Sequence, residues 1–130
     1  MTSKNQTRLP VILVLLFAAL AVLPACRTIA VNDQTTGEVK FGELQVVTEH
    51  GFETVYQATK RGFTDTKLFQ TGDDKKYVEA ELTARDSMDT LVIVKIKEIA
   101  HNRTSVKVRY GYTGDTVNAQ RLYNNIEKNF

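Results

Sequence analysis

Three patterns of hydrophobic and polar positions run along this chain, and each predicts a different element. From Val11 to Leu23 every residue is apolar, an unbroken run of 13. Further on, Phe52, Val55, Tyr56, Thr59 and Phe63 fall at i, i+3, i+4, i+7 and i+11, one face of an amphipathic helix. Thr48 suits the N-cap of that helix and Glu49 its first turn. Ala119, Leu122, Tyr123, Ile126 and Phe130 repeat the helical spacing, with Asp115 of Gly114-Asp115 as the expected cap.

Between the helices the period falls to two. Lys76 to Arg85 places Val78, Ala80, Leu82 and Ala84 on one side, and Thr90 to Ala100 does the same with Val92, Val94 and Ile96. Thr104 to Tyr112 follows with Val106, Val108 and Tyr110. Asp86-Ser87-Met88-Asp89 and His101-Asn102-Arg103 turn the chain between them, which predicts an antiparallel meander. Glu38 to Val47, with Val39 and Phe41, then Leu44 and Val46, reads as a further strand whose parity changes at Gly42, where a bulge is expected. Lys67 to Thr71 is a short extended piece closed by the turn signal Gly72-Asp73-Asp74. The order β-α-β-β-β-α predicts an α+β two-layer sandwich, an antiparallel four-stranded sheet with two helices on one face.

The continuous apolar run has another meaning. Lys4 and Arg8 precede it and no acid does. A helix of 13 residues rises about 20 Å, short of a bilayer core of about 30 Å, and Pro24 ends it. Residues 1–25 therefore read as a cleaved export signal. Leu23-Pro24-Ala25-Cys26 resembles the bacterial lipobox. That resemblance implies cleavage between Ala25 and Cys26 and a thioether-linked diacylglycerol on Cys26, so that acyl chains hold the protein to a membrane. Arg27 follows the cysteine where an aspartate would favour inner-membrane retention, which points to the outer membrane and a periplasm-facing domain. Arg27 to Gly37 is polar and without helical period. It reads as part of a tether over 26–37, before a single domain at 38–130.

Loss of the signal changes the charge. Removing Lys4 and Arg8 from 17 Lys plus Arg leaves 15, against 15 Asp plus Glu. A near-neutral mature chain argues against a nucleic-acid partner, whose binding rests on excess positive charge. The one cysteine excludes an internal disulfide, a multi-cysteine zinc site and a Cys-x-x-Cys redox pair. His50 and His101 have no metal-ligand spacing, and no nucleophile elbow, phosphate loop or dinucleotide fingerprint is present. No cofactor or metal is expected.

The outward face of the meander carries the remaining chemistry. A hairpin centred near Met88 sets Glu81 opposite Lys95 and Glu79 opposite Lys97, and the next strand adds Lys107 and Arg109. Lys95, Lys97, Lys107 and Arg109 form a basic stripe that the glutamates compensate in part, with Leu91 and Ile93 as an apolar centre. Such a face is either ordinary solvated surface or a docking site for an anionic lipid, a glycolipid or an acidic envelope protein. The leading functional expectation is a noncatalytic binding or structural role in the cell envelope. The rival is a small hydrolase, or an accessory subunit of an envelope transport complex. A hydrolase would need groups such as His50, His101 and Asp115 to converge. A third possibility is that an edge strand, Glu38 to Val47, pairs with a partner strand.

With these features in place, the chain resembles a family of small bacterial lipoproteins known as domain of unknown function 3568. The resemblance is carried by Cys26, Val55-Tyr56-Gln57-Ala58, the run Thr104-Ser105-Val106-Lys107-Val108-Arg109-Tyr110-Gly111, Gly114-Asp115 and the helix bearing Ile126. It implies a fold and a location, and no activity.

Overall fold

A computed structural model describes residues 26–130. The apolar run and the cleavage-site residue Ala25 lie outside the described residues, whereas Cys26 is described and exposed. The architecture is α+β: seven antiparallel strands form one sheet, and two helices cover one of its faces. The elements are β1 (Arg27–Ala30), β2 (Thr36–Lys40), β3 (Glu43–Thr48), α1 (Phe52–Asp65), β4 (Phe69–Lys75), β5 (Glu79–Arg85), β6 (Leu91–Ala100), β7 (Arg103–Tyr110) and α2 (Thr116–Glu127). The sheet order is β1-β2-β3-β7-β6-β5-β4.

The core is what the two periodicities require. Ala80, Leu82, Ala84, Val92, Val94, Ile96, Val106 and Val108 are buried on the strands, and Phe52, Val55, Tyr56, Phe63, Ala119, Leu122, Tyr123 and Ile126 are buried on the helices. The helices meet closely at Gly62, where an added Cβ would lie 2.7 Å from Ile126 Cγ1. Asp115 caps α2 as expected, accepting from the Asn118 amide at 3.1 Å.

The sheet has seven strands where the sequence pattern predicts four, and three local causes account for the difference. The parity change at Gly42 is a hairpin turn and not a bulge. Phe41 and Gly42 both have positive φ, 51° and 73°, as a two-residue type I′ turn requires. Lys40 pairs with Glu43 across it, and Val39 and Leu44 both face the helices. Second, β4 runs through Gly72-Asp73-Asp74. The glycine marks a register shift within the strand rather than its end, and a Cβ there would sit 2.5 Å from Thr83 Oγ1.

Third, the segment read as a tether is folded. β1 pairs with β2 from Arg27↔Val39 to Ala30↔Thr36, and Val31 is buried. Polar residues made this stretch look like a linker, but they are spent on fixing it. Asn32 Oδ1 accepts from the Gln34 and Thr35 amides, and Asn32 and Thr35 side chains both donate to the Glu127 carboxylate. Gln120 Nε2 donates to the Ala30 and Val31 carbonyls. Within the described residues the folded unit therefore reaches back to Arg27, where the sequence pattern starts it at residue 38. Two smaller differences follow. Thr48 ends β3 opposite Thr104, and Gly51 takes the N-cap of α1 without a side-chain bond. Glu38 to Val47 lies inside the sheet, so β1 and β4 are its edges.

Candidate docking face

One sheet face carries the helices and the other is open. On the open face, single rows of paired residues cross neighbouring strands. The central row reads Thr28, Glu38, Gln45, Lys107, Lys95, Glu81 and Asp74. Glu81 faces Lys95 and Glu79 faces Lys97, the pairing that a hairpin near Met88 predicts. Asp89, with φ of 63°, closes that hairpin, its amide donating to the Asp86 carbonyl at 3.0 Å.

Lys95 and Lys107 stand directly opposite each other on β6 and β7. Like charges in that relation repel across the ladder. Lys95 also meets Glu81 at 3.8 Å, an exposed pair that contributes little on its own. A shallow groove of about 450 Å³ opens over this point, lined by Lys76, Lys95, Lys97 and Lys107 with Asp74, Glu79 and Glu81. Four lysines against three carboxylates make the groove more evenly charged than the strand pattern alone implies. Asp74 is the reason: β4 brings it onto this face, where the sequence reading places a turn.

Two other expected members of the stripe sit differently. Arg109 points its guanidinium away from the lysines, donating to the Phe41 carbonyl at 3.1 Å and the Tyr112 carbonyl at 3.2 Å. Leu91 and Ile93 lie at the end of β6 nearest Tyr112, not at the centre of the stripe. They line a separate groove of about 780 Å³ with Arg85, Arg109 and Tyr112. Ile93 is half-buried between Arg109 and Thr83.

The histidines and Asp115 do not converge. His50 stacks its ring on Phe130 with centroids 4.4 Å apart, and its carbonyl accepts from Thr104 Oγ1. His101 meets only the neighbouring Asn102 side chain, at 3.4 Å. Asp115 occupies the opposite end of the sheet as the α2 cap. Among the described residues no group of three or more His, Cys, Asp and Glu side chains is placed to hold a metal ion. Among them, too, no helix is long and apolar enough to cross a membrane.

One polar cluster escaped the sequence reading. The Tyr56 hydroxyl donates to Asp73 Oδ2 at 2.6 Å, and Lys60 Nζ meets the same oxygen at 3.3 Å. Lys75 Nζ lies 4.4 Å from the Tyr56 ring centroid and 2.7 Å from Glu53 Oε2. The hydrogen bond from Tyr56, then the charge of Lys60, hold the Asp73 carboxyl below the usual carboxylate range. The same bond raises the Tyr56 phenol. The tyrosine reads as a core position of α1, and Asp73 as a turn residue. Nothing in their spacing shows that β4 brings them together.

The sequence has no match among curated proteins. A family model covers residues 10–129, so nearly the whole chain is matched. The chain belongs to the family described as Protein of unknown function (DUF3568).

Proposed function

We propose that this protein is a lipoprotein of the bacterial envelope, anchored through acyl chains on Cys26 with its domain in the periplasm, at the outer membrane rather than the inner. Its role there is docking and not catalysis, and the open sheet face receives an anionic partner. The observation that carries this reading is the Lys95–Lys107 pair. Two lysines held opposite each other on central strands repel, Glu81 offsets this only for Lys95, and an anion between them would offset the rest. A groove of about 450 Å³ opens above them. The acidic residues on its flank set which anions fit, since like-charge contacts exclude wrong partners.

The test uses the full chain in cells, with a photo-crosslinking residue at Gln45, which lines the groove beside Lys107. A discrete adduct with a glycolipid or an envelope protein is expected, and it should vanish in the Lys95→Glu, Lys107→Glu double variant. Absence of any adduct, with the protein present and acylated, would remove the docking reading. The anchor is checked separately by metabolic labelling with a fatty acid, which Cys26→Ser should abolish.

A further inference from the structure

The described residues expose ten large hydrophobic side chains, and six of them lie along one end of the sheet: Phe41, Phe69, Met88, Leu91, Tyr112 and Val117. Because every strand pair is antiparallel, this end gathers the β2–β3 turn, the β5–β6 turn, the start of β4 and the loop into α2. Exposed apolar surface concentrated in one place marks an interaction site, whereas single scattered residues do not.

Phe41 and Tyr112 stand out among these side chains, at 79% and 97% exposure. Phe41 is held at φ 51°, a conformation that bulky residues rarely adopt and that Asn or Gly would supply at lower cost in this turn. The phenyl ring is therefore not there for the turn. The two aromatic loops are also locked to each other. Arg109 bridges their carbonyls, and Gly114 packs so tightly that a Cβ would lie 2.2 Å from the Gly42 carbonyl oxygen. Phe41 and Tyr112 thus project from one rigid tip.

Cys26 belongs to the same tip. β1 begins at Arg27, which pairs with Val39, so Cys26 lies beside Lys40, one residue before Phe41. Paired Cα atoms are about 5 Å apart and successive ones 3.8 Å, which places the Cα atoms of Cys26 and Phe41 within about 10 Å. No flexible linker separates the anchoring residue from the fold. The carboxylates nearby are mostly engaged: Asp86 accepts from the Met88 and Thr90 amides and the Tyr110 hydroxyl, Asp89 pairs with Arg85, and Asp115 caps α2. Arg27 follows Cys26 directly, and Lys40 pairs with Glu43 across the β2–β3 turn.

We propose that this end of the domain is seated in the head-group layer of the phospholipid bilayer that holds the acyl chains. Phe41 and Tyr112 enter the interface, where amphipathic and aromatic rings are favoured, and Arg27 and Lys40 reach lipid phosphates. The proposal rests on acylation of Cys26, as read above. It fixes the orientation of the molecule. Lys95 lies four residues up β6 from Leu91, about 13 Å at the rise of a strand, so the lysine groove stands above the head groups and faces sideways into the periplasm.

The chain contains no tryptophan, so a single introduced one reports its own surroundings. Full-length acylated Phe41→Trp and Tyr112→Trp are reconstituted in vesicles of phosphatidylethanolamine and phosphatidylglycerol with brominated acyl chains. Tyr77→Trp, at the opposite end and equally exposed, is the reference. Blue-shifted emission and several-fold stronger quenching at positions 41 and 112 than at 77 are expected. Equal, weak quenching at all three positions, with the mass of the acylated N-terminus verified, would overturn the seating. A mass showing no acyl group on Cys26 would overturn the lipoprotein reading itself, and the seating with it.

Discussion

The Tyr56 hydroxyl on α1 and Asp73 Oδ2 on β4 are joined by a 2.6 Å hydrogen bond that ties the outermost strand to the helix layer. β4 has no buried residue. Besides its ladder to β5, this bond, the Lys60–Asp73 and Lys75–Glu53 ion pairs and the contact of Lys75 with the Tyr56 ring hold it against α1.

Asp73→Asn should therefore loosen β4 first, and destabilise the domain by about 1 kcal/mol, the scale of a partly exposed charge-assisted bond. The effect depends on pH with a definite sign. The native Asp73 carboxyl is held below its ordinary value, so its contribution is complete above the unfolded pKa of about 3.9 and is lost as the pH falls through the native value. Thermal melts from pH 7 to pH 2 should show the wild type and Asp73→Asn separated near neutrality and converging in acid. A constant separation across that range would mean the carboxylate charge is not what holds the strand.

Most of the fold is legible in the residue pattern because burial imposes a period. Val92, Val94 and Ile96, or Leu122, Tyr123 and Ile126, announce their faces by spacing alone, and the Glu81↔Lys95 register follows from the Met88 hairpin. The edges are not legible for a physical reason. β1 and β4 bury almost nothing, so no hydrophobic alternation marks them. They are held by backbone ladders and by polar side chains, such as Asn32 with Glu127 or Tyr56 with Asp73, whose partners lie far away in sequence. Phe41 misled in the opposite direction, since an aromatic in a strand-like pattern predicts burial rather than a left-handed turn. Of the candidate site, the facing lysines were legible, whereas the role of Arg109 as a brace and the arrival of Asp74 were not.

Gly62 sits within α1, where alanine is ordinarily favoured by about 1 kcal/mol. Here the sign should reverse. A Cβ would lie 2.7 Å from Ile126 Cγ1 and 3.2 Å from the Ile126 backbone Cα and N. The side chain can move, but the backbone can yield only if the helices separate. Gly62→Ala is expected to lose about 1–3 kcal/mol, the range for overpacking a filled core, read by chemical denaturation. A stabilised variant would show that α1 and α2 are free to shift apart.

Two tyrosines should respond oppositely to loss of the hydroxyl. Tyr123 is fully buried, and among the described residues its hydroxyl makes no hydrogen bond of normal geometry, although the Thr48 side chain approaches it; burial pushes its phenol far above the ordinary value. Tyr110 is pushed up to about 12, by burial and by its hydroxyl bond to Asp86 at 3.0 Å. An unpartnered buried hydroxyl costs about 1–3 kcal/mol, and a satisfied one contributes about 1 kcal/mol. Tyr123→Phe should be neutral or stabilising and Tyr110→Phe destabilising in parallel melts. Equal losses would mean that the buried Thr48 side chain serves as a partner for the Tyr123 hydroxyl.

The facing lysines allow stability and docking to be separated. Lys107 stands between Gln45 and Lys95, so Lys107→Glu removes a repulsion and sets an acid opposite Lys95. Cross-strand charge pairs are worth about 0.2–1 kcal/mol, and the variant should be more stable by that amount. Lys97→Glu does the reverse, setting an acid opposite Glu79, and should be less stable. If the groove receives an anion, the stabilised Lys107→Glu variant should also lose its crosslink at Gln45, because the repulsion it relieves is what the anion would neutralise. Binding surfaces commonly carry such a cost. A variant that is more stable and crosslinks as well as the wild type would make the lysine pair ordinary solvated surface, and the partner would then have to be sought along the edge strands β1 and β4.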